Sequence, residues 1–116
     1  MTKDDFNEVV ARRQELIGQV LASKGKEYAN SNDVFHNFKN ATGLSFHNAA
    51  EKVAWEFMVK HLQSIKDIIA EVSSETKAKV ASSNIIEEKI GDAINYLILI
   101  EGMLKERSNN YKSARG

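Results

Sequence analysis

NAAEKVAWEFMVKHLQSIKDIIAEV, residues 48–72, decides the fold. The stretch holds neither proline nor glycine, so nothing in it breaks a helical hydrogen-bond ladder. Trp55, Met58, Val59, Leu62, Ile65, Ile69 and Val72 recur every three or four positions and form one continuous apolar stripe. A second stripe (Phe46, Ala50, Val53, Phe57, Ile68) runs beside it, interrupted by His61 and Ser64. A helix apolar on two sides is expected to lie between neighbours, as a central helix does.

Outward from this helix the chain keeps the same character. Ser45 or Asn48 opens this helix, and Asn48 with Glu51 three residues on has the capping-box arrangement. Just upstream, Gly43 followed by Leu44 reads as a left-handed helix end with a hydrophobic contact beyond it. That end closes a short helix holding Val34, Phe35 and Phe38, with Asp33 as its expected cap. A polar break (Asn30, Ser31, Asn32, Asp33) separates it from a first long helix. Thr2 caps that helix, Asp4 and Asp5 suit its dipole, and Phe6, Val9, Val10, Leu16, Ile17, Val20 and Leu21 recur at helical spacing. Gly25 is a plausible stop for it, although Lys26 to Ala29 could continue the helix.

Downstream, residues 73–83 are small, polar and charged and read as a loop. Asn84 with Glu87 is a second capping box, opening a last helix that ends near Arg107. Gly91 and Gly102 cost that helix propensity, and close approach of a neighbouring backbone is the expected return. The expectation is an all-α, compact helical bundle of three long helices plus one short helix. It forms a single domain over residues 1–107, with a flexible polar tail at 108–116.

Composition narrows the function classes. At 116 residues, 42% apolar and 28% charged, the chain is an ordinary globular one. It has no cysteine, which removes disulfides and thiolate chemistry and suits a cytoplasmic location. Basic and acidic residues balance at 16 each, so duplex nucleic acid is not an expected partner. Zero net charge offers little protection against self-association, and a homo-oligomer is expected. The N-terminus does not read as a signal peptide. The longest apolar run, residues 97–100, is far short of the ~20 residues of a membrane span.

Within the apolar last helix the pair Asp92 and Asn95 stands out. Positions 88, 92, 95 and 99 fall within roughly 60° of one another, so Glu88, Asp92, Asn95 and Leu99 share one face. Unpaired polar groups in such a setting cost of order 1–3 kcal/mol each. Two outcomes are open: a ligand site, or a closed structural network with Asp92 bonded to a tyrosine or histidine. On the central helix Lys60, Ser64, Asp67 and Glu71 share a face. Antiparallel packing of the two long helices would set Asp67 and Glu71 beside Glu88 and Asp92, and four carboxylates suit a hard cation such as Mg²⁺. A solvated face with ordinary i,i+4 pairs is the plainer alternative. His61 is a candidate phosphate contact or acid–base group, or simply a hydrogen-bonded core histidine. Lys24, Lys26 and Lys39 with Tyr28 and Phe38 border the polar break and could receive a phosphate and a stacked base.

Lys26-Glu27-Tyr28-Ala29, Asn37-Phe38, Val59-Lys60-His61 with Ser64-Ile65 and Asp67, and then Glu88-Lys89-Ile90-Gly91-Asp92-Ala93-Ile94-Asn95-Tyr96-Leu97 together resemble a family of small phage and prophage proteins. These are described as nucleotide-modification-associated domains. The segment from Glu87 to Asp92 is also similar to the second acidic motif of MazG-type all-α nucleoside triphosphate pyrophosphohydrolases, which hold magnesium between two helices. Lys89 stands where that family has a glutamate, and its upstream Glu-x-x-Glu does not occur. The resemblance implies a nucleotide or nucleotide-derived ligand bound by Lys60, His61, Ser64, Asp92, Asn95, Tyr96 and Tyr28. It also implies possible use of Mg²⁺ by Asp67, Glu71, Glu88 and Asp92. A different class of function fits the same chain: a non-catalytic phage protein that sequesters a cyclic nucleotide signal or blocks a host defence protein, such as a CRISPR nuclease, by contact.

Overall fold

The computed structural model describes residues 1–27, 33–73 and 82–115, with side chains described outside 21–27 and 114–115. The protein is all-α: α1 (Lys3–Glu27), α2 (His36–Ala41), α3 (Ala50–Val72) and α4 (Ser83–Arg115). No strand occurs among the described residues. No helix among them is long and apolar enough to cross a membrane. The chain divides into two compact units, Met1–Val34 and Phe35–Gly116.

In the first unit, α1 begins where the sequence places it. The Asp5 amide donates to Thr2 Oγ1 at 3.1 Å and the Thr2 amide to Asp5 Oδ2 at 3.4 Å. This is a reciprocal cap with aspartate in the place of the usual glutamate. Gly18 sits in the helix interior with nothing near the position of a Cβ. Gly18→Ala is therefore expected to raise stability by about 0.5–1 kcal/mol through helix propensity alone.

The second unit is an antiparallel α3–α4 hairpin with α2 laid against it. Ala50 and Ala54 of α3 pack with Met103 of α4 and with Phe35, and Phe38, Tyr96, Leu99 and Ile100 close around them. Val53 and Met58 complete the buried row of α3, each 1% exposed. Small side chains decide this choice of face. Ala50, Ala54 and Ala93 are all buried in the unit, and helices approach more closely where residues at the contact are small. Of the first stripe Met58 is buried, whereas Trp55, Val59, Leu62, Ile69 and Val72 stay 41–59% exposed. Of the second stripe Ala50 and Val53 are buried, whereas Phe46 and Phe57 stay exposed, so the core lies between the two stripes.

Element ends differ from expectation for local reasons. α2 starts at His36, not at Asp33, and Phe35 occupies its cap position. Gly43 has no left-handed backbone. The carbonyls at the end of α2 are met by right-handed turns instead, with the Thr42 hydroxyl donating to Lys39 O at 2.6 Å and the Gly43 and Leu44 amides to Asn40 and Ala41 carbonyls. Leu44 is 97% exposed and makes no closing contact. The Asn48–Glu51 capping box does not form: α3 starts from Ala49 without a side-chain cap, because Glu51 is taken by Arg107. At the next start Ser82, not Asn84, caps α4, its Oγ accepting the Ile85 amide at 3.2 Å. α4 then runs through the stretch expected to be a tail, as far as Arg115.

Gly102 answers to a side chain rather than to a backbone. A Cβ there would lie 2.8 Å from Phe35 Cζ, and that ring is buried against Ala50, Ala54 and Met103. Gly102→Ala gains helix propensity but forces the ring to move, for an expected net loss of about 1 kcal/mol. Urea unfolding of the Gly18 and Gly102 variants side by side checks this; equal signs for the two would contradict it.

Candidate functional site

The heptad-like spacing of α3 puts His61 one turn beyond Phe57, and that of α4 puts Tyr96 one turn beyond Asp92. Antiparallel pairing then brings the two pairs together. His61 Nδ1 lies 3.5 Å from Asp92 Oδ2, with the two side chains 28% and 35% exposed. The His61 and Tyr96 rings are 5.2 Å apart and tilted by 31°. Phe38 of α2 meets Tyr96 edge-on at 6.3 Å and Phe57 at 6.3 Å. The result is a row of rings, Phe57, Phe38, Tyr96 and His61, that ends on a carboxylate.

This cluster is open. No polar or charged residue is buried among the described residues, and no buried side-chain nitrogen or oxygen among them lacks a partner. Asp92, Asn95 and His61 are half-buried, and Asp92 meets His61, the histidine contact that a structural network would also use. Chemically, the cluster offers a carboxylate acceptor, an imidazole and ring faces for stacking, with the Asn95 amide three residues on from Asp92 on the same face of α4.

The other expected residues do not join it. Lys60 is exposed, and its carbonyl accepts the Ser64 hydroxyl at 3.2 Å, a bond within the helix. Asp67 Oδ1 accepts Gln63 Nε2 at 2.8 Å on the outer surface of α3. Glu71 and Glu88 are exposed. Among the described residues no three carboxylate or imidazole groups gather to hold a metal ion. Asp67 lies about 120° around α3 from His61, so the row that shares a face with Asp67 points away from Asp92. Asp67, Glu71, Glu88 and Asp92 are thus not brought together as one set. Tyr28 lies outside the described residues, as do most of the 73–83 loop and the side chains of Lys24 and Lys26. Lys39 is paired with Glu106 at 2.6 Å.

A cavity of about 510 Å³ lies at the other end of the hairpin. Phe35 and Met103 form part of its wall, and the Lys39–Glu106 and Glu51–Arg107 pairs, Asn48 and Tyr111 also line it. Arg107 grips Glu51 by two nitrogens, Nε to Oε1 at 2.6 Å and Nη2 to Oε2 at 3.2 Å. Each of the cavity's two cations thus already meets a carboxylate, which leaves it ill suited to a phosphate. Ten residues of α3, about 15 Å, separate Glu51 from His61. No local spacing announces this cavity, because its pairs join positions 51 to 107 and 39 to 106.

Burial pushes the Glu51 carboxyl up, the largest single influence on it. The Arg107 hydrogen bond, the helix-start amide and the charges of Arg107 and Lys52 together hold it below its ordinary 4.5. A carboxyl depressed in the folded state contributes stability above its unfolded value, and that contribution is lost as pH falls through the folded value. Arg107→Gln is expected to cost about 1 kcal/mol at neutral pH, with the difference from wild type shrinking in acid as Glu51 becomes protonated. Chemical unfolding at neutral and at acid pH reads this directly; a difference that persists in acid would contradict it.

With the geometry in view, comparison adds no relative: no family model, curated protein or solved structure matches this chain.

Proposed function

We propose that this chain binds a nucleotide or nucleotide-derived ligand on the open side of the His61–Asp92–Tyr96 cluster. The carrying observation is that a carboxylate and an imidazole from two different helices meet beside a tyrosine ring and remain partly exposed. Burying a carboxylate and an imidazole would cost desolvation; half-exposed, they stay within reach of a solute. The resemblance of residues 88–97 to nucleotide-modification-associated domains supports the same chemistry. In this reading ribose hydroxyls or an exocyclic amino group donate to Asp92, Asn95 reads a second polar edge, and the base lies along Tyr96 and His61.

Binding without turnover suits the site better than hydrolysis. Among the described residues no three carboxylates gather around a metal position, and Mg²⁺ enters this reading as the companion of a ligand's own phosphates. A phage-type protein that sequesters a nucleotide signal of host defence uses the same contacts. Equilibrium dialysis against mono-, di-, tri- and cyclic nucleotides, with chromatography of the recovered ligand, tests both versions. Saturable binding with the ligand returned intact is expected. Release of pyrophosphate would replace sequestration by pyrophosphohydrolysis, and no binding by any nucleotide would remove the proposal.

A further inference from the structure

The α3–α4 hairpin has two broad sides, and α2 covers one of them through Phe38 against Phe57 and Tyr96. On the other side α3 presents Trp55, Val59, Leu62, Ile69 and Val72, 41–59% exposed. Positions 55, 59, 62 and 69 fall within about 80° of one another. α4 adds Ile86, Leu97 and Leu104, 40–54% exposed, within about 20° of one another. In an antiparallel pair, rows displaced in the same rotational sense from the buried seam emerge on the same side. A groove of about 280 Å³, walled by Ile65, Ile69 and Val72 from α3 and Ile86 and Ile90 from α4, joins the rows at one end of the hairpin.

We propose that this side is the interface of a homodimer, in which two copies of the hairpin pack about a two-fold axis as a four-helix bundle. Area is the first reason. Eight half-exposed apolar side chains at roughly 100 Å² each present about 800 Å² per copy, the share one partner contributes to a standard interface. A contiguous apolar patch of that size exceeds the ~300–600 Å² typical of a monomer. Charge is the second reason. Between Trp55 and Val72 the row holds a single charged residue, Lys66, whose aliphatic stem can lie along apolar surface. The formal charge of the chain is zero, so two copies meet without net repulsion, and an isologous contact sets this face against itself. The interface is independent of the nucleotide site, because the row of rings that carries His61 runs to Phe38 on the side α2 covers.

Sedimentation equilibrium tests the assignment. Wild type is expected at twice the chain mass of 13.0 kDa. Leu62→Glu and Leu97→Glu, both on side chains already half-exposed in the single chain, are each expected to raise the dimer dissociation constant by on the order of a hundredfold. Their helical circular dichroism is expected to stay unchanged. The chain has one tryptophan, so the emission of Trp55 reports the same face in the unmodified protein and should shift to the red on dilution. A wild-type chain at 13.0 kDa at every concentration would overturn the proposal. So would an oligomer whose mass ignores both substitutions and whose Trp55 emission does not depend on concentration.

Discussion

Met58→Ala lowers the unfolding free energy by about 2–5 kcal/mol, the largest stability change expected from a single truncation in this chain. Met58 and Val53 are the largest side chains that are fully buried, and both lie on the face of α3 that supplies the core. Truncation to alanine removes three heavy atoms from water-free surroundings and leaves a void that the stiff α3–α4 seam fills only in part. A core this small has little reserve, since only eight hydrophobic residues are buried among those described. The matching control is Leu44→Ala, at a side chain 97% exposed, where a change within about 0.5 kcal/mol is expected. Urea denaturation should show a lower midpoint with an unchanged slope for Met58→Ala. A loss below about 1 kcal/mol would mean that α3 does not pack by this face.

The largest functional change is expected from Asp92→Ala. Removing the carboxylate takes away the acceptor for a ligand hydroxyl or amino group and should weaken nucleotide binding by about tenfold to a hundredfold. Stability should change little, because the Asp92 side chain is 35% exposed and its contact with His61 is a long one at 3.5 Å. Tyr96→Leu separates stacking from polar recognition: affinity falls through the lost ring face, while Asp92 and His61 keep their places. The opposite pattern, an Asp92→Ala protein that is strongly destabilised yet binds as wild type does, would assign the pair to structure alone.

The helices were legible in the sequence because periodicity and the absence of proline act locally. The extent of α3 to Val72 and the Thr2 cap of α1 follow directly from residue spacing. What failed were decisions taken between distant segments. Asn48 and Glu51 satisfy the capping pattern, yet Arg107, fifty-six positions away, offers Glu51 a stronger partner. Periodicity marks two apolar stripes on α3 without ranking their members, whereas close approach of two helices selects Ala50 and Val53 from one and Met58 from the other. The candidate site was half legible. His61, Asp92 and Tyr96 meet because their i,i+4 spacings face across an antiparallel seam. Lys60, Asp67 and Glu71 were grouped by sharing a face of α3, but sharing a face does not say that the face looks toward α4.

Imidazole resonances offer the most direct measurement on the central claim, because the chain has three histidines. His36 bonds to Asn40 and His47 to Glu56, both away from the cluster. Titration of isotope-labelled protein with a nucleotide should move the His61 ring signals to saturation while those of His36 and His47 stay in place. Signals of His61 that remain still at saturating nucleotide, whatever moves elsewhere, would contradict the account.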